Sequence, residues 1–244
     1  MVNFIGLKRD TFLKQYKSLY RFITVERLIE QLESKTFAFL NPTIWEDPYE
    51  KYFIEKKYII RGKPMYLPMR DRVFCVCVSG TTSSEAFWKV YAPKENGVRL
   101  SYRTEDFLEV LDTITDCEIH IGKVKYLITK VFSNPPIDKK SLLEEIDNNN
   151  INGQQLKLLL RKRTSFRYEN EVRIVCVPKV LSTDKKVLKI PMDIKIFTKT
   201  YLFDPRMGKY HFSLIKESLL EKYGIAASHS HLYKLPLLKP IVLK

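Results

Sequence analysis

Hydrophobic and polar positions follow two periods along this chain, and short segments of each kind succeed one another. Apolar residues in short runs or at alternate positions predict strands, whereas apolar residues three or four apart predict helices. The pattern predicts strands at 19–24, 36–40, 72–79, 97–102, 121–127 and 168–178, two more within 187–202, and a strand-like tail at 232–243. It predicts helices at 25–34, 83–91, 105–112 and 211–223, and a helical stretch followed by a basic helix within 141–165. Interleaved short strands and helices indicate an α+β fold.

Capping residues and prolines mark where several of these elements begin or end. Thr24 is in place to cap the first helix, and Ser83 or Ser84 the second. Residues 41–50 contain two prolines and residues 133–140 two more, so we expect loops there. The chain of 244 residues shows no internal repeat and no linker, which predicts one domain over residues 1–244.

The composition is that of a globular protein, with 45% hydrophobic and 29% charged residues. No apolar run has membrane-spanning length, and the opening residues are charged where a signal peptide would be apolar. The four cysteines show no CxxC pairing and no metal-ligand spacing with the histidines, so we expect reduced thiols and no metal site. These features predict a cytoplasmic protein without a membrane partner.

The net charge of +14 lies almost wholly in the second part of the chain. Residues 1–120 carry 18 Lys and Arg against 17 Asp and Glu, whereas residues 121–244 carry 24 against 11, a net charge of +13. A basic excess confined to one part can form a face that attracts phosphates, although general solubility explains it equally well. The expected nucleic-acid contacts are Arg161, Lys162, Arg163 and Arg167.

Residues 41–50, NPTIWEDPYE, combine aromatic rings with carboxylates. Trp45 and Tyr49 could stack a planar ring while Asp47 binds hydroxyls, which would suit a nucleotide. The alternative is structural: Asn41 and Asp47 would cap local turns and Trp45 would fill the core. For Trp45 we favour the structural role.

A second aromatic group, FWKVY, follows the strand that ends at Ser79. Trp88 and Tyr91 are three residues apart and share one face of the predicted helix. Core packing is the usual role of such a pair, and a second aromatic wall of a binding pocket is the alternative.

The third group is YENEVRIV at 168–175. On a strand, Glu169, Glu171 and Arg173 lie on one face and Val172 and Ile174 on the other. The apolar face predicts core contact, and the charged face would meet solvent or a cleft. Two adjacent carboxylates raise each other's pKa unless a cation intervenes, and Arg173 is placed to intervene.

In their order along the chain, these motifs resemble an uncharacterised bacterial family of unknown function. The shared pattern is a LYRF-like strand, an NPxxWxDPxE loop, CVS followed by FWKVY, a Gly-Val-Arg-Leu strand at 97–100, and YExExR after a basic helix. The resemblance spans roughly residues 19–178 and implies no activity.

A more distant resemblance is to nucleic-acid-modifying ADP-ribosyltransferase toxins. Residues 19–37 look like their opening strand and helix, and YENEVRIV is similar to the late strand that carries their catalytic glutamate. This resemblance implies a split β-sheet core with flanking helices. It matches Glu171 to the catalytic glutamate, Glu169 to the position that tunes the acceptor, and Tyr20 or Arg21 to the first NAD contact. Ser79 is the nearest match to the middle contact.

The chemistry implied by this resemblance is cleavage of the nicotinamide–ribose bond of NAD, with NAD as substrate and no metal. A carboxylate can stabilise the charge on the ribose, and arginines such as Arg173 can hold the pyrophosphate. The implied biology is a bacterial toxin or anti-phage effector that modifies RNA or DNA, with a possible cognate antitoxin. Two alternatives stay open: a non-catalytic nucleic-acid-binding module, and a metal-dependent nuclease built on Asp47, Glu50, Glu169 and Glu171.

Overall fold

The computed structural model describes residues 1–82, 85–133, 137–151, 153–180 and 186–235. Its strands are β1 (Asn3–Ile5), β2 (Ser18–Thr24), β3 (Thr36–Leu40), β4 (Tyr58–Ile60), β5 (Lys63–Met65), β6 (Phe74–Ser79), β7 (Gly97–Arg103), β8 (Cys117–Lys123), β9 (Lys125–Leu127), β10 (Arg161–Arg163), β11 (Glu171–Pro178), β12 (Val187–Pro191), β13 (Thr198–Phe203) and β14 (Ala227–His229). Its helices are α1 (Arg9–Gln15), α2 (Val25–Ser34), α3 (Pro48–Glu55), α4 (Met69–Arg72), α5 (Glu85–Tyr91), α6 (Thr104–Asp112), α7 (Thr129–Ser133), α8 (Lys139–Asp147), α9 (Gln154–Leu159) and α10 (Lys209–Tyr223), with 3-10 turns at Pro42–Ile44 and Thr164–Glu169.

One large mixed sheet organises these elements, in the order β1-β8-β11-β6-β2-β7-β13-β14. The pairs β1/β8 and β13/β14 are parallel, and the pairs between them are antiparallel. Two small two-stranded sheets, β4 with β5 and β9 with β10, lie outside it. The fold is therefore mixed α/β, with helices packed on a large mixed sheet.

The sheet branches at β6. Ser79 at the end of this strand pairs with Tyr20 of β2, whereas Cys75 near its start pairs with Leu40 of β3. Strand β3 continues the branch to β12, with which it pairs over its whole length. Because β2 and β3 each touch β6 at one point only, the two branches separate along β6 and leave a gap between them.

The two faces of the central strands meet different environments. Val172 and Ile174 of β11 are fully buried in the main hydrophobic cluster with Val76 and Val78 of β6. This confirms the prediction that the apolar face of residues 168–175 packs into the core. On the other face, the residues of β6 and β11 are Ser79, Cys77, Glu171 and Arg173, since opposed residues of an antiparallel pair share a face.

Most predicted elements are present, including the Thr24 cap, whose hydroxyl accepts a hydrogen bond from the backbone N–H of Arg27. Ser83 and Ser84 lie outside the described residues. The predicted tail strand is wrong for residues 232–235, which form a turn, and its remainder falls outside the described residues.

Two predictions around residues 156–170 are wrong. The predicted basic helix ends at Leu159, and Arg161–Arg163 forms β10, which pairs in parallel with β9. The predicted strand at 168 begins only at Glu171, because Glu169 closes a 3-10 turn and Asn170 takes the left-handed conformation (φ 43°). Asparagine tolerates that conformation well, so this residue can redirect the chain between the turn and the strand.

Candidate functional site

A cavity of about 590 Å³ lies over β6, where β2 and β3 separate. Its walls come from β2, the 41–50 segment, α5 and the 3-10 turn before β11. Aromatic and aliphatic side chains form much of the lining, and carboxylates close one end. Sequence positions more than a hundred residues apart therefore meet in a single concave site.

Three residues lie abreast on adjacent strands beneath this cavity. In the sheet register, Tyr20 of β2 is opposite Ser79 of β6, and Ser79 is opposite Glu171 of β11. All three line the cavity. Arg21 also lines it, but it belongs to the opposite face of β2, where its guanidinium lies 4.7 Å from the ring centre of Phe37. The residue of β2 that is level with Ser79 and Glu171 is thus Tyr20.

Ser79 holds the turn that follows β6. Its hydroxyl donates to the carbonyl of Glu169 at 2.6 Å and accepts from the N–H of Thr81 at 2.9 Å. One residue later, the N–H of Gly80 donates to the carbonyl of Asn170 at 2.9 Å. These bonds join the end of β6 to the segment that carries the two glutamates, so they fix Glu169 and Glu171 relative to the cavity floor.

A buried ammonium links three carboxylates at the closed end of the cavity. Lys162 Nζ lies 2.6 Å from Glu169 Oε2, 2.9 Å from Glu171 Oε2 and 3.0 Å from Glu50 Oε1. The side chains of Lys162, Glu169 and Glu171 are each less than a tenth exposed. Together with Arg173, these four groups form what we call the carboxylate cluster: Glu50, Lys162, Glu169, Glu171 and Arg173.

Arg173 supports the cluster from beneath. Its Nε donates to Glu171 Oε1 at 2.6 Å, its Nη2 to Glu50, and its Nη1 to the carbonyl of Leu159 at 2.5 Å. Its guanidinium also stacks on the ring of Trp45 at 4.4 Å. Arg173, which the sequence predicts as a pyrophosphate contact, is fully buried and does not line the cavity. It holds the orientation of Glu50 and Glu171 instead.

The two glutamates of the YENEVR motif have opposite pKa shifts. Burial raises the pKa of Glu169 to about 7, although Lys162 acts against this change. Burial would also raise the pKa of Glu171, but Arg173 and Lys162 together outweigh it and lower that pKa to about 2. The environment therefore keeps Glu171 ionised and leaves Glu169 able to exchange a proton near neutral pH.

Stacked aromatic rings form the edge of the cavity. The rings of Phe22 and Phe87 are stacked at 4.7 Å, and Tyr91 continues the stack 6.0 Å from Phe87. Tyr91 is 40% exposed, and its hydroxyl donates to Glu169 Oε1 at 3.3 Å. Of the two residues predicted to form an aromatic wall, Tyr91 lines the cavity, whereas Trp88 is buried and does not.

Some of residues 41–50 line the cavity, and others have the structural role of capping turns and filling the core. Asn41 is buried and has no place in the cavity lining, because its side chain caps the 3-10 turn and donates to the carbonyls of Arg70 and Val73. Asp47 caps α3 through the N–H of Tyr49 and also lines the cavity. Trp45 lines the cavity while it covers Arg173. Of the residues predicted here as ligand contacts, Trp45 and Asp47 line the cavity, whereas Asn41 and Tyr49 do not.

The predicted basic patch does not form as expected. Lys162 is buried in the carboxylate cluster and Arg161 is buried near the ring of Phe53. Arg163 pairs with Asp47 Oδ2 at 3.0 Å and stacks on Tyr49 at 4.4 Å. Arg163 is thus partly exposed, and Arg167 is the one of the four that is exposed. Residues Arg161–Arg163 form β10, and the parallel pairing of β10 with β9 brings Arg161 and Lys162 into the interior instead of leaving them on an exposed helix face.

The sequence did not predict that two members of the cluster, Glu50 and Lys162, would lie together in the cavity with the two glutamates of the YENEVR motif. Glu50 was considered only as a possible metal ligand, and Lys162 only as a phosphate contact. Within the described part of the chain, no group of three or more His, Cys, Asp and Glu side chains has the geometry to hold a metal ion. The cation that Glu50, Glu169 and Glu171 share is the Lys162 ammonium.

No described helix is both long and apolar enough to cross a membrane.

The sequence profile of a family described as "Protein of unknown function (DUF2971)" matches residues 87–174. The matched segment runs from the aromatic wall on α5 to the start of β11, and it contains all of the carboxylate cluster except Glu50. It leaves out β2 and residues 41–50. No curated protein matches the chain.

Proposed function

We propose that this protein is an NAD-dependent ADP-ribosyltransferase that works in the β6 cavity, with Glu171 as its catalytic glutamate. The observation that carries the proposal is the register of Tyr20, Ser79 and Glu171 across three adjacent strands. These are the positions at which the resemblance to ADP-ribosyltransferase toxins expects the two NAD contacts and the glutamate. The separation of the sheet at β6 supports the same proposal.

The cavity has the size and surface that such a substrate requires. Its volume of about 590 Å³ lies within the range of small-molecule sites, roughly 300 to 1,000 Å³. The parallel rings of Phe22, Phe87 and Tyr91 offer an edge on which a nicotinamide or adenine ring can stack. The carboxylates lie at one end of the same cavity, where they can meet a ribose.

Glu171 is suited to stabilise positive charge on that ribose. In the proposed reaction, the bond between ribose C1′ and the nicotinamide nitrogen breaks, and its electron pair leaves with the nicotinamide. The ribose ring then carries the positive charge, which an ionised carboxylate stabilises. Lys162 and Arg173 each occupy one oxygen of Glu171. A carboxylate oxygen has a second lone pair, so a ribose hydroxyl can still donate to it.

Glu169 is suited to the second half of the reaction. An acceptor hydroxyl or amine attacks C1′ and gives up a proton, and a base with a pKa of about 7 can take that proton at neutral pH. Tyr91 and Lys162 orient the carboxylate of Glu169 from two sides. The acceptor we propose is nucleic acid, in a toxin or anti-phage effector that a cognate antitoxin would restrain.

A non-catalytic nucleic-acid-binding module is the second candidate, favoured by the net charge of +13 in residues 121–244. It predicts salt-sensitive binding of nucleic acid that does not depend on Glu171. The two candidates therefore differ in whether the activity of the protein requires NAD and the Glu171 carboxylate.

The decisive assay follows label from the ADP-ribose part of NAD into nucleic acid or protein. Glu171→Gln keeps the side-chain shape but removes the charge, and we expect a loss of about 100-fold or more. Since this change also removes buried ion pairs, Val90→Trp serves as an independent variant. Val90 is 55% exposed on the cavity wall, so a tryptophan there would fill the cavity entrance without touching the carboxylate cluster.

Lys89→Trp is the matched control, because Lys89 is on the same helix, does not line the cavity and, within the part of the chain that the structure describes, forms an ion pair with exposed Glu85 alone. We expect transfer in wild type and Lys89→Trp, and none above background in Val90→Trp. Full activity in Glu171→Gln, or equal activity in the two tryptophan variants, would refute the proposal.

A further inference from the structure

A basic hairpin projects from the chain between the 41–50 segment and β6. Strands β4 and β5 are joined by Arg61 and Gly62, both with positive φ (50° and 79°), as a two-residue hairpin turn requires. A Cβ on Gly62 would meet no atom within 4 Å, so the glycine serves the backbone conformation rather than close packing.

The hairpin has one buried and one exposed face. Ile60 is buried in the second hydrophobic cluster, beside Phe53 of α3. On the other face Ile59 is 72% exposed and is opposite Pro64, and Tyr66 is 41% exposed. We call this exposed side the outer hairpin face. Because Pro64 has no N–H, β5 offers a poor edge for addition of a partner's strand.

Positive charge is concentrated in and around this hairpin. Residues 51–72, which run from α3 through the hairpin to α4, contain seven Lys and Arg but two Asp and Glu. Lys57 is exposed and makes no ion pair within the described residues, whereas exposed Lys63 is opposite Ile60 and so belongs to the other face of the hairpin. The Lys57 ammonium and the Arg70 guanidinium lie 5.8 and 4.5 Å from the centre of the Tyr66 ring. The outer hairpin face thus joins cations to an exposed aromatic residue.

Helix α3 connects this hairpin directly to the cavity. Its cap, Asp47, and its third residue, Glu50, both line the cavity, and the hairpin begins three residues after the helix ends. Eight residues of α helix span about 12 Å, so a flexible strand bound on the hairpin could extend to the cavity.

We infer that the outer hairpin face binds the sugar–phosphate backbone of a single-stranded nucleic acid. Lysine and arginine side chains next to an exposed aromatic ring are the combination with which single strands are held without sequence preference. We commit to nucleic acid rather than an anionic membrane, because a base can stack at an exposed aromatic ring while the neighbouring cations hold phosphates. The role of the bound strand as acceptor rests on the proposed function, whereas the binding itself does not.

The test measures anisotropy of a labelled short single strand of mixed sequence, as RNA and as DNA, without NAD. Lys57→Glu with Arg70→Glu reverses the two charges beside Tyr66 and is called the hairpin variant. Lys209→Glu with Lys216→Glu is the control, because these exposed lysines of α10 give the same change in net charge. Loss of two phosphate contacts lowers the dependence of log K on log salt by about 1.4.

We expect the hairpin variant to weaken binding about tenfold or more and the α10 variant less than twofold. RNA and DNA arms identify the preferred strand, and vesicles of phosphatidylserine and phosphatidylcholine serve as the membrane probe. Equal loss in both variants, no binding by wild type at low salt, or binding to vesicles but not to the strand would overturn the inference. NAD turnover without strand binding would refute this inference and leave the proposed function intact.

Discussion

The Lys162 ammonium is the cation on which the site most depends, and Lys162→Met removes it while keeping a side chain of similar length. Three carboxylates lie within 3.0 Å of this ammonium, and all belong to side chains that are at most a tenth exposed. Breaking a buried ion pair by removing one partner costs about 3 to 5 kcal/mol, because the other charge stays buried. Arg173 still neutralises Glu171 and Glu50, so we expect a loss of about 3 kcal/mol in unfolding free energy.

The loss of unfolding free energy in Lys162→Met should depend on pH. A carboxylate whose folded pKa is raised contributes stability that is present below its ordinary pKa of 4.5 and is lost as pH rises through the folded value. Glu169 already has a folded pKa of about 7, and Lys162 opposes that rise. Without the ammonium, the pKa of Glu169 rises further, and the lowered pKa of Glu171 moves back up. The variant should therefore be least stable relative to wild type above pH 7 and recover toward pH 5.

Urea unfolding at several pH values measures this difference directly. Lys222→Met is the matched control, since the Lys222–Glu33 pair is exposed and such pairs contribute about 0.2 to 1 kcal/mol. Lys162→Arg, which keeps the charge, should recover part of the stability. The reasoning would be wrong if Lys162→Met and Lys222→Met cost the same, or if the cost of Lys162→Met did not change with pH.

Further predictions concern the supports of the cluster. Arg173→Lys keeps the charge but loses the planar stack on Trp45 and part of the hydrogen bonding. We therefore expect the unfolding free energy to fall by about 2 kcal/mol and the fluorescence of Trp45 to shift to the red. An unchanged spectrum would contradict the stack. Gly80→Ala would bring a Cβ into the Tyr16 ring and within 2.6 Å of Asn170 Nδ2, and should cost about 1 to 3 kcal/mol in urea unfolding. A Gly62→Ala variant, strained only by its positive φ, should cost about 1 kcal/mol and leave NAD turnover unchanged.

The sequence predicted local structure well where the pattern was long or capped. The helix at 25–34 and the strands at 36–40 and 97–102 match α2, β3 and β7 closely, because a cap, an Asn-Pro stop or strict patterning marks each one. The division of residues 172–175 between core and site followed from strand alternation alone. The same reasoning failed at Glu169, because one left-handed residue, Asn170, separates it from the strand.

The carboxylate cluster depended on information that local patterns do not carry. A run such as Arg161-Lys162-Arg163 has the composition of a solvated basic segment, and only its pairing with β9 brings Lys162 into the site. Glu50 is on the first turn of α3, more than a hundred residues from its partner Arg173. A buried ion pair between residues far apart in the chain leaves no periodic pattern in the sequence. The sequence therefore indicated Glu169 and Glu171, and their pairing with Lys162 was visible only in the structure.

The central claim, that the β6 cavity binds NAD, is tested most directly by the melting temperature with and without NAD. A ligand at about 100 times its dissociation constant stabilises the folded state by about 2.7 kcal/mol. For a chain of this size each kcal/mol raises the melting temperature by about 2 to 4 °C. We predict a rise of several degrees for wild type and Lys89→Trp, and none for Val90→Trp. No rise in wild type, or an equal rise in Val90→Trp, would contradict the claim.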